Sequence, residues 1–220
     1  MIISYFTRFF KGFGIKRRVF VHNFFDFVLS LRLGVLTMEY SFNVFNAYSS
    51  DGICSSVNRA LLGLQKTKTS LPPVVVCIGS DLAIGDALGP VCGSMLCHKT
   101  QGLNSFIYGT LSAPVTAKEI KHIRAFLKET HKSSPIVAID AAVGDAGDVG
   151  LIKIIDKPLQ PGAGANKKLG SIGDISIMGI VAEKSIKSYA LFNTTRLNLV
   201  YKMSETIADA LSTLLWNANA

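Results

Sequence analysis

A three-layer α/β architecture, with a mostly parallel sheet between helices, is predicted by three features of the chain. Apolar runs such as Val74-Val-Val-Cys-Ile78 and Ile136-Val-Ala-Ile139 read as strands buried on both faces. Segments of helical periodicity lie between such runs, so strand and helix alternate as βαβαβ. The 220 residues, 49% hydrophobic and 17% charged, are enough for one domain with a sizeable core and too few for two ordinary domains plus linkers.

Residues 1–37 form a basic, aromatic leader. Its apolar run from Val19 to Leu31 is broken by His22, Asn23 and Asp26, too short and interrupted for the roughly 20 apolar residues of a spanning helix. No small-residue cleavage site marks a signal peptide. Two readings remain, an arm that touches a membrane surface and an upstream stretch preceding true initiation at Met38, and the second is favoured. Residues 38–71 read as a leader helix and linker. Ser49-Ser-Asp51 supplies capping residues, Ile53, Val57, Ala60, Leu61 and Leu64 recur on one face, and Pro72-Pro73 ends the segment.

The α/β domain then occupies residues 72–220. Strands are expected at Val74–Ile78, Ser105–Tyr108, Ile136–Ile139, Gly150–Ile155 and Ile175–Val181. A helix is expected from about Ala87 to Lys99, and a second opens on the capping box Thr116-x-x-Glu119. A long helix from about Thr195 to Trp216 closes the chain, with Leu197, Val200, Ile207, Leu211 and Leu214 in helical register.

Charge narrows the function classes. Residues 1–37 hold six Lys/Arg against one acid, a balance of +5, which leaves +3 of the formal +8 for the other 183 residues. With no zinc-finger spacing or RNA-recognition signature, no nucleic-acid partner is expected. Cys54, Cys77, Cys92 and Cys97 show neither C-x-x-C nor metal-site spacing and read as buried thiols in a reducing cytoplasm. His98, His122 and His131 are expected to be solvated on outer helices, and Asp145 and Asp148 to form a tight turn.

Ligands of parallel sheets bind at the carboxyl ends of the strands, where strand order reverses. Three loops are expected there: Gly79–Asp86, Asp140–Gly144 and Pro161–Lys168. Gly85 is followed by Asp86 where a phosphate-binding loop carries lysine, and no loop supplies G-x-G-x-x-G opening a helix. No nucleotide cofactor is therefore expected. Taken singly, Asp86 suits a helix N-cap and Asp140 a strand-end turn. Their expected convergence on one crevice makes them the catalytic candidates.

Four strings, CIGSDLAIGDALGP, YGTLSAPVTAK, AIDAAVGDAGDVG and PGAGANKKLGSIGDISIMGIV, in that order resemble the YyaC-type sporulation proteins, described as spore proteases. The resemblance covers about Pro72 to Met203. More distantly, GDALGP, VAIDA and PGAGANK are similar to the germination protease, and the hydrogenase-maturation proteases share that phosphorylase/hydrolase-like fold. The resemblance places two essential aspartates at Asp86 and Asp140. In the hydrogenase-maturation proteases the corresponding carboxylates join a later histidine to bind nickel. Here His22, His98, His122 and His131 all precede Asp140, so no metal or other cofactor is expected.

The expectation is a sporulation-associated peptidase in the cytoplasm of the forespore or spore interior, acting on a protein or peptide. Two adjacent carboxylates do not both ionise easily, so one keeps its proton and the pair serves as acid and base. Asn166 and the backbone amides of Gly162–Gly164 are candidate oxyanion donors, Lys167 a partner for an acidic substrate group, and Asp81 a third carboxylate near the substrate. The alternative is a catalytically silent protein that uses the same crevice to bind a peptide or small ligand.

Overall fold

The computed structural model describes residues 38–64, 71–162, 169–184 and 195–219. The expectations for residues 1–37, Gly164, Asn166 and Lys167 lie outside them. The elements run β1 (Glu39–Asn43), α1 (Ser49–Leu64), β2 (Val74–Cys77), α2 (Leu88–Lys99), β3 (Ile107–Tyr108), α3 (Ile120–Thr130), β4 (Ile136–Gly144), β5 (Leu151–Ile155), β6 (Ile175–Glu183) and α4 (Leu197–Asn219). Short 3-10 turns occupy Ile84–Ala87 and Ala146–Asp148.

Six strands form one sheet in the order β1-β5-β6-β4-β2-β3. β3, β2, β4 and β6 are mutually parallel, while β5 is antiparallel to both β6 and β1. The chain goes from β2 through α2 to β3, then through α3 back across β2 to β4. Strand order therefore reverses between β2 and β4, the position that favours a crevice at the carboxyl edge.

Two apolar clusters cover the two faces. α1, α2 and α4 pack on one through Ile53, Leu88, Leu96, Met203, Ile207 and Leu211, against Val75, Val137, Ile139, Ile152 and Ile177. On the other, Ile120 and Leu127 of α3 pack with Leu159 and Ile172 against Val74, Val76 and Ala138. Successive strand residues thus serve opposite clusters, as the twofold side-chain period requires. Each fully buried aliphatic side chain contributes about 1.5–3 kcal/mol. Ser204 Oγ also donates to the Leu88 carbonyl at 3.0 Å, fixing α4 to the start of α2.

Four expectations need correction. Residues 38–71 are not merely a leader: β1 pairs with β5 over Glu39–Asn43, and α1 enters the larger core cluster. β1 escapes detection because EYSFN is an edge strand of alternating half-buried and exposed residues with no apolar run. The third expected strand does not stop at Ile139, because β4 continues to Gly144 alongside β6. His131 is 7% exposed, not solvated, and its Nε2 lies 2.8 Å from Tyr108 Oη. Cys77 and Cys92 are buried as expected, but Cys54 and Cys97 are only partly so.

The Asp145–Asp148 segment is the tight turn the sequence suggests, and Asp148 Oδ2 accepts from Lys153 Nζ at 2.8 Å. The helix expected to open on a capping box at Thr116 begins instead at Ile120, and only half of the box is made: Thr116 N–H donates to Glu119 Oε2 at 3.0 Å, while Glu119 N–H donates to the Thr116 carbonyl at 3.0 Å.

Candidate active site

The difference in strand length between β2 and β4 opens the site. β2 ends at Cys77, opposite Ile139, and Ile78 N–H makes one further bond to the Ile139 carbonyl at 2.8 Å. From Asp140 onward β4 is paired with β6, Asp140 with Met178, and among the described residues has no strand on its β2 side. Asp140 is therefore a carboxylate within a central strand rather than in a turn after it. By the alternation of β4 it shares a side with Ile136 and Ala138.

The chain leaving β2 returns to the same place. Gly79 has φ +142°, and a Cβ there would stand 2.1 Å from the Asp86 carbonyl oxygen. Ser80 N–H donates to that carbonyl at 3.1 Å, and Asp86 N–H donates to Ala83 O at 3.0 Å. The loop is closed on itself, with Asp86 anchored over the end of β2. Only a residue without a side chain permits that approach. Asp86 lies within the 3-10 turn, and Ala87, not Asp86, immediately precedes α2.

α2 is held close by a second small residue. A Cβ at Gly89 would stand 2.0 Å from the Ile78 carbonyl oxygen, so the first turn of α2 rests directly on the end of β2. Val115 completes this edge, bridging Ile78 in parallel and accepting from Gly79 N–H at 3.0 Å. That contact was not foreseen, although the string YGTLSAPVTAK that contains Val115 was.

Electrostatics couple the two carboxylates. Burial pushes the Asp140 carboxyl well above the ordinary 3.8, and the negative charge of Asp86 pushes it further the same way. The Ala141 N–H, donating to Asp140 Oδ1 at 2.9 Å, opposes the rise and does not overcome it. Proximity of like charge and loss of water both favour the neutral acid at Asp140.

The other expected site residues fare differently. Asp81 is exposed on the Gly79–Asp86 loop, beside Leu82, which is 92% exposed. Gly162 has φ +71° in a turn after Pro161. Its loop is rooted at the opposite, amino edge: β5 ends there, Leu159 bridges Ile172, and Asp174 N–H donates to Ile136 O at 2.8 Å.

The nickel-type site of the resembling proteases does not fit these residues. Among the described residues no group of three or more His, Cys, Asp or Glu is placed to hold a metal ion. His98 and His122 are exposed on α2 and α3, and His131 is engaged with Tyr108 near the amino edge. Among the described residues, no helix is long and apolar enough to cross a membrane.

A family model described as "Protein of unknown function (DUF1256)" matches residues 46–210. The "Uncharacterized protein YyaC" of Bacillus subtilis (strain 168) is 36% identical over 180 residues, covering 81% of this chain and 87% of that protein. Among solved structures, the [NiFe] hydrogenase maturation protease HycI from Thermococcus kodakarensis KOD1 aligns with a TM-score of 0.44 at 20% identity. That alignment covers 70% of this chain and 99% of the other.

Proposed function

The chain belongs to the DUF1256 family, and from that premise we propose that it is a peptide hydrolase in which Asp86 and Asp140 act as one acid–base unit. The observation that carries this reading is the meeting of two carboxylates where β4 runs past the end of β2 and the closed loop after β2 returns Asp86, an arrangement in which burial and the charge of Asp86 both raise the Asp140 pKa. Such an arrangement gives two chemically similar groups opposite roles. The motif resemblance to the spore proteases supports the choice of peptide bonds as substrate.

Asp86 takes a proton from a water as its oxygen attacks the scissile carbonyl carbon. Neutral Asp140 donates its proton to the carbonyl oxygen, so no full oxyanion develops. The tetrahedral diol then collapses. Asp86 returns its proton to the departing amine, Asp140 recovers one from a diol hydroxyl, and both groups end as they began. No metal enters these steps. Asp81, on the loop that carries Asp86, is proposed to contact substrate at the rim of the crevice, whereas Gly162, on a loop rooted at the amino edge, is not placed to do so. The proposed setting is the cytoplasm of the developing spore, with a protein or peptide as substrate.

The test is to incubate the purified full chain with an extract of sporulating cells and identify new peptide termini. Termini should appear with wild type and be absent with Asp86→Asn and Asp140→Asn. If no condition yields cleavage and all three proteins capture the same peptides equally, the crevice is a binding site and the hydrolase reading fails.

A further inference from the structure

A second site lies at the amino edge of the sheet, away from the aspartates. The C-terminal half of α3 and the segment Ser171–Gly173 enclose a cavity of about 450 Å³. Leu127 and Ile172, both buried, and Ile136 give it an apolar floor. Its wall carries Arg124, Lys128 and Lys132, and no carboxylate is among the described residues that line it. Among the described residues none of the three cations forms an ion pair.

This cluster is not a way of stabilising α3. Like charges four residues apart on a helix repel, as Arg124 and Lys128 do here. The helix dipole favours cations in the last turn, which accounts for Lys128 but not for Arg124, or for Lys132 beyond the helix end. Arg124, exposed on α3, reaches over the backbone of Gly170. Gly170, at φ +79°, lies so close beneath its guanidinium that a Cβ there would stand 2.3 Å from Nη1. Ser171 adds a hydroxyl to the lining.

We propose that this cavity binds a small organic polyphosphate, its phosphates on Arg124, Lys128 and Lys132 and its organic body on Leu127, Ile136 and Ile172. Size favours a small molecule over a peptide, since small-ligand sites span roughly 300–1,000 Å³. Arg124 and Lys128 are separated by about 6 Å along the helix axis. A chain of two or three phosphates spans them, and a single phosphate does not. Arginine presents a planar fork to phosphate and lysine a mobile point charge, the pairing that an extended phosphate chain uses. This site is independent of the proposed hydrolysis, because its residues lie at the other end of the parallel strands.

Calorimetric titration of the full chain with ADP, inorganic tripolyphosphate and inorganic phosphate, at about 0.15 M salt to suppress diffuse attraction, tests the proposal. ADP and tripolyphosphate should bind saturably and about tenfold or more tighter than phosphate. Arg124→Gln and Lys128→Gln should each weaken ADP about five- to tenfold. Lys121→Gln, an exposed α3 cation outside the cavity, should leave binding unchanged. Lys128 is exposed and carries the test even if Arg124→Gln, which disturbs the Gly170 contact, does not fold. Absence of saturable ADP binding, an equal loss in Lys121→Gln, or tighter binding of an octaglutamate peptide than of ADP would overturn it.

Discussion

Asp140 sets an expectation for stability as well as for chemistry. Its folded pKa is raised above 3.8, so between that value and the folded one the unfolded chain has already released a proton that the native state retains. Stability contributed by this group is therefore lost as pH rises through that window. Asp140→Asn removes the loss: urea denaturation should find it more stable than wild type at pH 7, with the gain gone below about pH 3.8. An equal gain at both ends would place its cause elsewhere. In activity, Asp86→Asn and Asp140→Asn should each abolish turnover, and the double variant should be scarcely worse than either, because members of one catalytic unit are not additive. Activity should survive a chelator, since no described histidine joins the aspartates. That Asp86 and Asp140 come near one another was legible because the loop after Val74–Ile78 and the end of Ile136–Ile139 belong to neighbouring parallel strands. His131 was not, because the partner that allows its burial, Tyr108, lies 23 residues away and nothing local announces it.

At the scale of elements, the approach of α2 to β2 is what holds Asp86 over the sheet. Gly89→Ala introduces a Cβ 2.0 Å from the Ile78 carbonyl, a backbone atom that has no rotamer to yield. It should cost about 3 kcal/mol or more and lower turnover by displacing Asp86. Gly63, near the end of α1, meets nothing within 4 Å, and Gly63→Ala should raise stability by about 0.5–1 kcal/mol through helix propensity alone. Thermal and urea unfolding of the pair checks both signs. Elements with strong periodicity were legible, α1 through its apolar face as far as Leu64, although Ser49–Asp51 fall inside the helix and α3 opens at Ile120, four residues after Thr116. β4 was cut short because Asp140, a common strand-end turn residue, makes Asp140-Ala-Ala-Val-Gly144 read as the loop after the strand. Its continuation depends on pairing with β6, from Asp140 opposite Met178 to Gly144 opposite Glu183, a partner far along the sequence that nothing local announces.

For the whole molecule, the described sheet and both core clusters are built from Met38 onward. A chain starting at Met38 should keep its stability within about 1 kcal/mol of the full chain. A chain starting at Ser49 loses β1 with buried Val44 and the packed Tyr40 and Phe42, and should be weaker by about 3 kcal/mol or more. Far-UV and near-UV circular dichroism with denaturant separates these outcomes. The proposed function depends on one property of the assembled fold, the coupling of a carboxylate on β4 to one in the loop after β2. The direct measurement is a carbon-13 NMR titration of the Asp140 side-chain carboxyl in wild type and in Asp86→Asn. The expected result is a pKa well above 3.8 in wild type that falls when Asp86 is neutralised. An ordinary Asp140 pKa, or a raised one indifferent to Asp86, would contradict a paired acid–base site.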